Sequence, residues 1–301
     1  MWKKAALWIS LLCYAIILTL ILLVVRFPKE TFIAYAIDTI EAKLPGFTIG
    51  IGDVVYVYPL SLQINHFSLA NPSELLDIEI DTTMFTFDRE SPRNRGQLQF
   101  GLYGGTVTID VDLHRESDTV ELPSITLSGI RLADIEPLEN RLGRPLEGTL
   151  DCSGRFAGKL DDLVNGVLSG KGRITGFQVN LKRPILQNDT VVFDSVAASA
   201  VLQKGILVLS DGVATGPSYD GEFSGQLDFA GHWQEAAVTI TGVLLPQEEY
   251  VKQNQQVARA VSLLYKKYGS REIPYSLSGS FREPVFRFGE AVPDADKRVV
   301  Q

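Results

Sequence analysis

Gly166-Val167-Leu168-Ser169-Gly170-Lys171 comes nearest in this sequence to a phosphate-binding loop, and Gly154-Arg155-Phe156-Ala157-Gly158-Lys159 echoes it. A P-loop needs one more residue between its glycines, Ser or Thr after the lysine to hold magnesium, and a helix to aim backbone amides at phosphate. Neither stretch has these, so both read as strand turns. His66, His114 and His232 are dispersed, with no His-x3-His or Cys-x2-Cys spacing to build a metal site. Asp110-x-Asp112 puts two carboxylates on one strand face, a candidate cation site, but Thr106 and Thr108 share that face and mark it as solvated. Ser195 lies in Phe193-Asp194-Ser195-Val196-Ala197, without a nucleophile elbow around it. Cys152 has no histidine near it in sequence and reads as a small strand residue. The expectation is a protein that is not an enzyme, with no catalytic residue, no cofactor and no metal.

Composition narrows the remaining classes. A chain of 301 residues at 45% hydrophobic and 21% charged is too apolar for a disordered tail and too charged for a polytopic transporter. Its net charge of −8 argues against nucleic acid, which needs a clustered excess of Lys and Arg.

The elements that must position any site begin with a membrane anchor. Ala5 to Val25 carries no charge, and at 1.5 Å per residue it makes about 31 Å of helix, enough for one crossing of a bilayer core of about 30 Å. A cleaved signal peptide would have a shorter apolar region followed by an A-x-A-like site, whereas this run exits through Val24-Val25-Arg26-Phe27-Pro28. The anchor at 5–25 is therefore expected to stay. Lys3, Lys4 and the terminal amine keep the tail, residues 1–4, on the cytoplasmic side, and the bulk of the chain is exported. With the two tail lysines set aside, the formal charge of that bulk falls to −10. Cys13 lies within the span, so Cys152 has no partner for a disulfide.

Beyond the anchor, Ile33, Ile37, Ile40 and Leu44 recur at helical steps and predict a short juxtamembrane helix over 28–45. Every glycine lies at or after Gly46. From there period-two patterning dominates: Val107, Ile109, Val111 and Leu113 alternate with Thr106, Thr108, Asp110 and Asp112. Leu60-Leu62-Ile64, Leu76-Ile78-Ile80, Ile125-Leu127, Ile206-Val208 and Val238-Ile240 continue the signal, with turn pairs such as Gly104-Gly105 and Asp211-Gly212 between them. An apolar residue or cysteine followed by Ser-Gly recurs at Gly129, Gly154, Gly170, Gly225 and Gly279, where glycine allows a bend or bulge. The reading is mainly β: a curved, mostly antiparallel sheet over 46–289, followed by a flexible tail at 290–301. One longer helix interrupts it at about 247–268, with Tyr250, Val251, Val257, Val261, Leu264, Tyr265 and Tyr268 clustered on one side, to pack on the sheet or to bind a partner.

The order of these features resembles a known family. An uncleaved anchor, the exit Arg26-Phe27-Pro28, a short helix ending Leu44-Pro45-Gly46 and a glycine-punctuated β region are similar to protein N of the bacterial type II secretion system, in its longer, non-gamma-proteobacterial form. The likeness is clearest from Leu146-Glu147-Gly148 to Gly170-Lys171-Gly172, at Val192-Phe193-Asp194-Ser195-Val196 and at Ala214-Thr215-Gly216-Pro217-Ser218-Tyr219. The segment from Ile273 to Phe286, Tyr275-Ser276-Leu277-Ser278-Gly279 within it, looks like the closing pattern of AsmA-type envelope proteins. The resemblance implies a single-pass inner-membrane protein whose periplasmic β domain associates with other secretion subunits, and it brings no catalytic residues.

Two functions follow as expectations. One is a structural subunit of the secretion machine. The other is an AsmA-like module for phospholipid, in which the sheet offers acyl chains an apolar groove containing Val107, Ile109, Val111 and Leu113. The matching candidate for a partner helix is the face of Val257, Val261, Leu264, Tyr265 and Tyr268.

Overall fold

A computed structural model describes residues 29–43, 46–71, 76–114, 116–135, 145–159, 162–185, 188–229, 236–280 and 283–289. The predicted anchor at 5–25 and the tail at 290–301 lie outside them; among the described residues no helix is long and apolar enough to cross a membrane. The chain divides into two compact units between Thr86 and Phe87, inside the stretch 46–289 that the sequence presents as one β region.

The first unit holds α1 (Lys29–Lys43), β1 (Thr48–Val57), β2 (Ser61–Asn71) and all but the last residue of β3 (Leu76–Phe87). The strands pair antiparallel in chain order, with Val54 opposite Ile64 and Ile64 opposite Thr83. Val54 is sealed at 1% exposure, with Ile49, Ile80 and Thr83 also buried. α1 packs on β1, where the Glu41 carboxylate accepts the Ile49 amide at 3.1 Å and Lys29 pairs with Asp53 at 3.2 Å. α1 occupies Lys29–Lys43 of the 28–45 predicted from Ile33, Ile37, Ile40 and Leu44, the last of which lies outside the described residues.

The second unit is an antiparallel meander: β4 (Arg95–Leu102), β5 (Gly105–His114), β6 (Thr119–Arg131), the 3-10 turn η1 (Leu132–Asp134), β7 (Leu146–Lys159), β8 (Asp162–Ile185), β9 (Asn188–Gln203), β10 (Ile206–Thr215), β11 (Tyr219–Asp228), β12 (Ala237–Pro246), α2 (Glu248–Gln253), α3 (Gln255–Tyr268), β13 (Ile273–Ser280) and β14 (Pro284–Phe288). Each strand from β5 onward pairs with the one before it in the chain. The tight turns Tyr103-Gly104 and Lys204-Gly205 have positive φ at both residues, the type I′ geometry whose twist matches that of paired strands. Ahead of β4, Asp88 Oδ1 accepts the amides of Ser91 and Glu90 at 2.8 Å each, and those bonds hold its carboxyl below the usual range. β6 carries one extra residue against β5 between Glu121 and Ser124 and against β7 between Leu122 and Ile125, so Pro123, which has no N–H to give a ladder, falls at a bulge on both sides.

The single helix expected over 247–268 is two. Asn254 is extended at φ −126° and ψ 104°, and its side-chain oxygen accepts the amides of Gln256 and Val257, so one helix ends and a capped second one begins. α3 closes at Gly269 in the left-handed region, with Lys266 and Lys267 in its last turn.

An apolar sheet face as the candidate functional site

Strand alternation sends every second side chain of the second unit to one face, and register aligns these residues in rows across neighbouring strands. One row runs Phe156, Leu168, Leu202, Leu207, Leu227 on β7 to β11. Another, six residues along β7, runs Leu150, Ile174, Val196, Ala214 on β7 to β10. Between them lie two rows of small residues on β7 to β9, Gly154–Gly170–Ala200 and Cys152–Gly172–Ala198. Six residues of strand span about 20 Å, so on β7 to β9 two ranks of large apolar side chains flank a low floor of glycine, alanine and cysteine.

The floor has a steric cause. Gly154 and Gly170 are direct partners in the ladder, and a Cβ on Gly170 would stand 3.0 Å from the Gly154 Cα and 2.5 Å from the Ser153 carbonyl oxygen. The Ser-Gly repeat read along the sequence therefore marks a place where two backbones approach too closely for a side chain.

The candidate groove residues belong to the same face. Val107 stands between Phe100 and Leu127, Ile109 between Leu98 and Ile125, and Leu113 opposite Val120. Val107 is buried, while Ile109, Val111 and Leu113 are half-buried. Leu150, Cys152, Leu168, Ile174, Ala198, Ala200 and Leu202 are half-buried as well, neither sealed in a core nor open to solvent. Burial raises the pKa of the Cys152 thiol.

The helices pack at another part of the unit. α3 contacts β13, sinking Val257 and Val261 to 0% and 1% exposure, and Ile273 beside them is also sealed. Leu264, Tyr265 and Tyr268 are half-buried on the same helix, so the face singled out for a partner is largely engaged inside the chain. Tyr250 of α2 meets Tyr219 of β11 edge to face, centroids 5.4 Å apart, and Gln247 donates to Asp220. The Tyr268 hydroxyl is buried with no hydrogen-bond partner among the described residues. On the last two strands Tyr275 of β13 and Phe286 and Phe288 of β14 form an aromatic cluster, Tyr275 stacked on Phe286 at 5.4 Å and 20°. Burial pushes the Tyr275 phenol up to about 12.

The other chemical candidates separate. Both phosphate-loop lookalikes lie inside strands β7 and β8, without a following helix. An open cleft of about 410 Å³ does touch Gly158, Lys159 and Gly166, but Glu121 and Asp162 line it too, which opposes an anion. Asp112 is paired with Arg95 at 2.7 Å and Asp110 accepts from Gln97 at 2.8 Å, so both carboxylates are satisfied by β4. Ser195 sits mid-strand between Thr175 and Thr215, His66 and His114 are exposed on different strands, and His232 lies outside the described residues. Among the described residues no three His, Cys, Asp or Glu side chains converge to hold a metal. The β5 segment of this face is legible in the alternation of Val107, Ile109, Val111 and Leu113, whereas the β7–β9 floor has as its sequence signal only the spacing of Gly154, Gly170 and Gly172.

Comparison with protein-family models, curated proteins and solved structures yields no match.

Proposed function

We propose that the chain is a non-enzymatic inner-membrane component of the type II protein secretion system, anchored through residues 5–25 and acting through its periplasmic β region. The class of protein is an anchored single-sheet binding module; the assignment to secretion rests on the resemblance to protein N. The observation that supports a binding role is the apolar face itself: rows of Leu, Ile and Val with half-buried side chains on an antiparallel sheet, away from the β13 region where α3 packs. Deleting the gene tests the assignment. Loss of secretion of the system's cargo, restored by the wild-type gene, is the expected outcome; unaltered secretion rejects it.

A second reading has its own support. The low floor of Gly154, Gly170, Gly172, Ala198 and Ala200 between ranks of large side chains suits an extended acyl chain, as in a curved AsmA-like lipid module. Lipid mass spectrometry on the full chain purified in mild detergent tests it. Co-purified phospholipid that is lost in Ala198→Phe supports lipid handling, and a lipid-free protein that takes up no added phospholipid excludes it.

A further inference from the structure

The opposite face of the same sheet carries its own pattern. Val201 and Val208 are direct partners on β9 and β10, 43% and 47% exposed, with Ile206 and Val213 also exposed on that side. Single exposed apolar side chains are ordinary, but these four sit together on two adjacent strands. Basic and acidic residues flank them on opposite sides. One row across β8 to β11 reads Arg173, Ala197, Val213, Glu222, and the row through the valine pair reads Ser169, Val201, Val208, Gln226. Arg173 and Glu222 are both exposed, and neither makes an ion pair with a described residue. Asp151, the ladder neighbour of Arg173, is turned to the Gly129 amide at 2.9 Å and to Ser128.

We infer that this outer face binds a second copy of the chain, around a two-fold axis that runs along the β9–β10 boundary. β8 and β11 lie equally far from that boundary, so a rotation of 180° about an axis parallel to the strands places the β11 of one copy over the β8 of the other. Arg173 then faces Glu222 of the other copy twice, once on each side, and Val201 faces Val208 in the middle. The row is its own complement, which is what an isologous contact requires and a contact with an unrelated protein does not. The strands of the two copies stay aligned, the ordinary way for sheets to stack about 10 Å apart. Within one copy Arg173 and Glu222 are three strand spacings, roughly 14 Å, apart, too far to pair with each other.

Sedimentation of the full-length chain in detergent at low salt tests this, with circular dichroism as the control for folding. The wild type is expected to dimerise, and R173E and E222R, each creating two like-charge contacts per dimer, are expected to weaken the homodimer at least about tenfold. Mixing R173E with E222R restores dimers of wild-type strength, because both cross-copy pairs are then of opposite charge; so does R173E/E222R in one chain. Val208→Glu removes the dimer. A chain that stays monomeric at every concentration, or single reversals that leave dimerisation unchanged, or a mixture that fails to restore it, overturns the inference.

Discussion

Tyr275 lies across Gly242, its direct partner on the neighbouring strand: a Cβ at position 242 would stand 2.9 Å from the Tyr275 Cε1. The ring covers backbone that a glycine leaves bare, and it is held from the other side by Phe286.

Gly242→Ala is expected to destabilise the fold by about 1–3 kcal/mol, because the added methyl meets this ring and the Glu222 carbonyl oxygen. Urea denaturation measures the loss, and a change below a few tenths of a kcal/mol would remove the steric account.

The same ring sets an alkaline response. The Tyr275 phenol is raised from an ordinary 10 to about 12 by burial, so the folded chain holds this proton more tightly than the unfolded chain does. Its contribution is complete below pH 10 and is lost as pH rises toward 12. Tyr275→Phe is expected to flatten stability against pH in that window, read by denaturant midpoints at a series of pH values; an unchanged slope would place the effect elsewhere.

Val257→Ala and Val261→Ala are each expected to cost about 1–3 kcal/mol, since both side chains are sealed against the sheet. Leu263, on the same helix but 69% exposed, should tolerate Leu263→Gln within about 0.5 kcal/mol. Thermal unfolding of the three variants checks the orientation of α3.

At the two ends of α3 opposite outcomes are expected. Asn254→Ala removes the acceptor for two amides and is expected to cost about 0.5–2 kcal/mol. Tyr268→Phe deletes a buried hydroxyl with no partner among the described residues and is expected to be neutral or stabilising by about 1 kcal/mol. Destabilisation by Tyr268→Phe would show that the hydroxyl is satisfied in solution.

Cys152 offers a probe of the sheet face. Its raised thiol pKa leaves less thiolate at any given pH, so iodoacetamide at pH 8 is expected to modify it more slowly in the folded chain than in urea. Peptide mass spectrometry follows the site, and equal rates in both states would contradict its burial.

Much of the architecture was legible because alternation survives where one face is wetter than the other. Val107, Ile109, Val111 and Leu113 are flanked by Thr and Asp, so their common face could be read directly. Ile206-Leu207-Val208-Leu209 could not be divided in this way: all four are apolar, and only pairing with Leu202 and Leu227 sends Leu207 to one face and leaves Val208 on the other. The Gly154–Gly170 contact was hidden for a related reason, since the two residues become neighbours only through the register of β7 on β8. The break at Asn254 was in principle readable, since Asn is a preferred cap, but the apolar spacing on either side of it continues one helical face and conceals the restart. The division at Thr86 has no compositional mark.

Chain-order pairing in the second unit has a consequence for how such a protein is made and varied. A strand that has just emerged finds its partner already in place behind it, so the sheet grows at one margin and no early strand waits for a late one. The same wiring makes the unit extensible: a hairpin gained or lost at a turn such as Lys204-Gly205 widens or narrows the apolar face by two strand spacings, about 10 Å, while the ladders on either side keep their own neighbours.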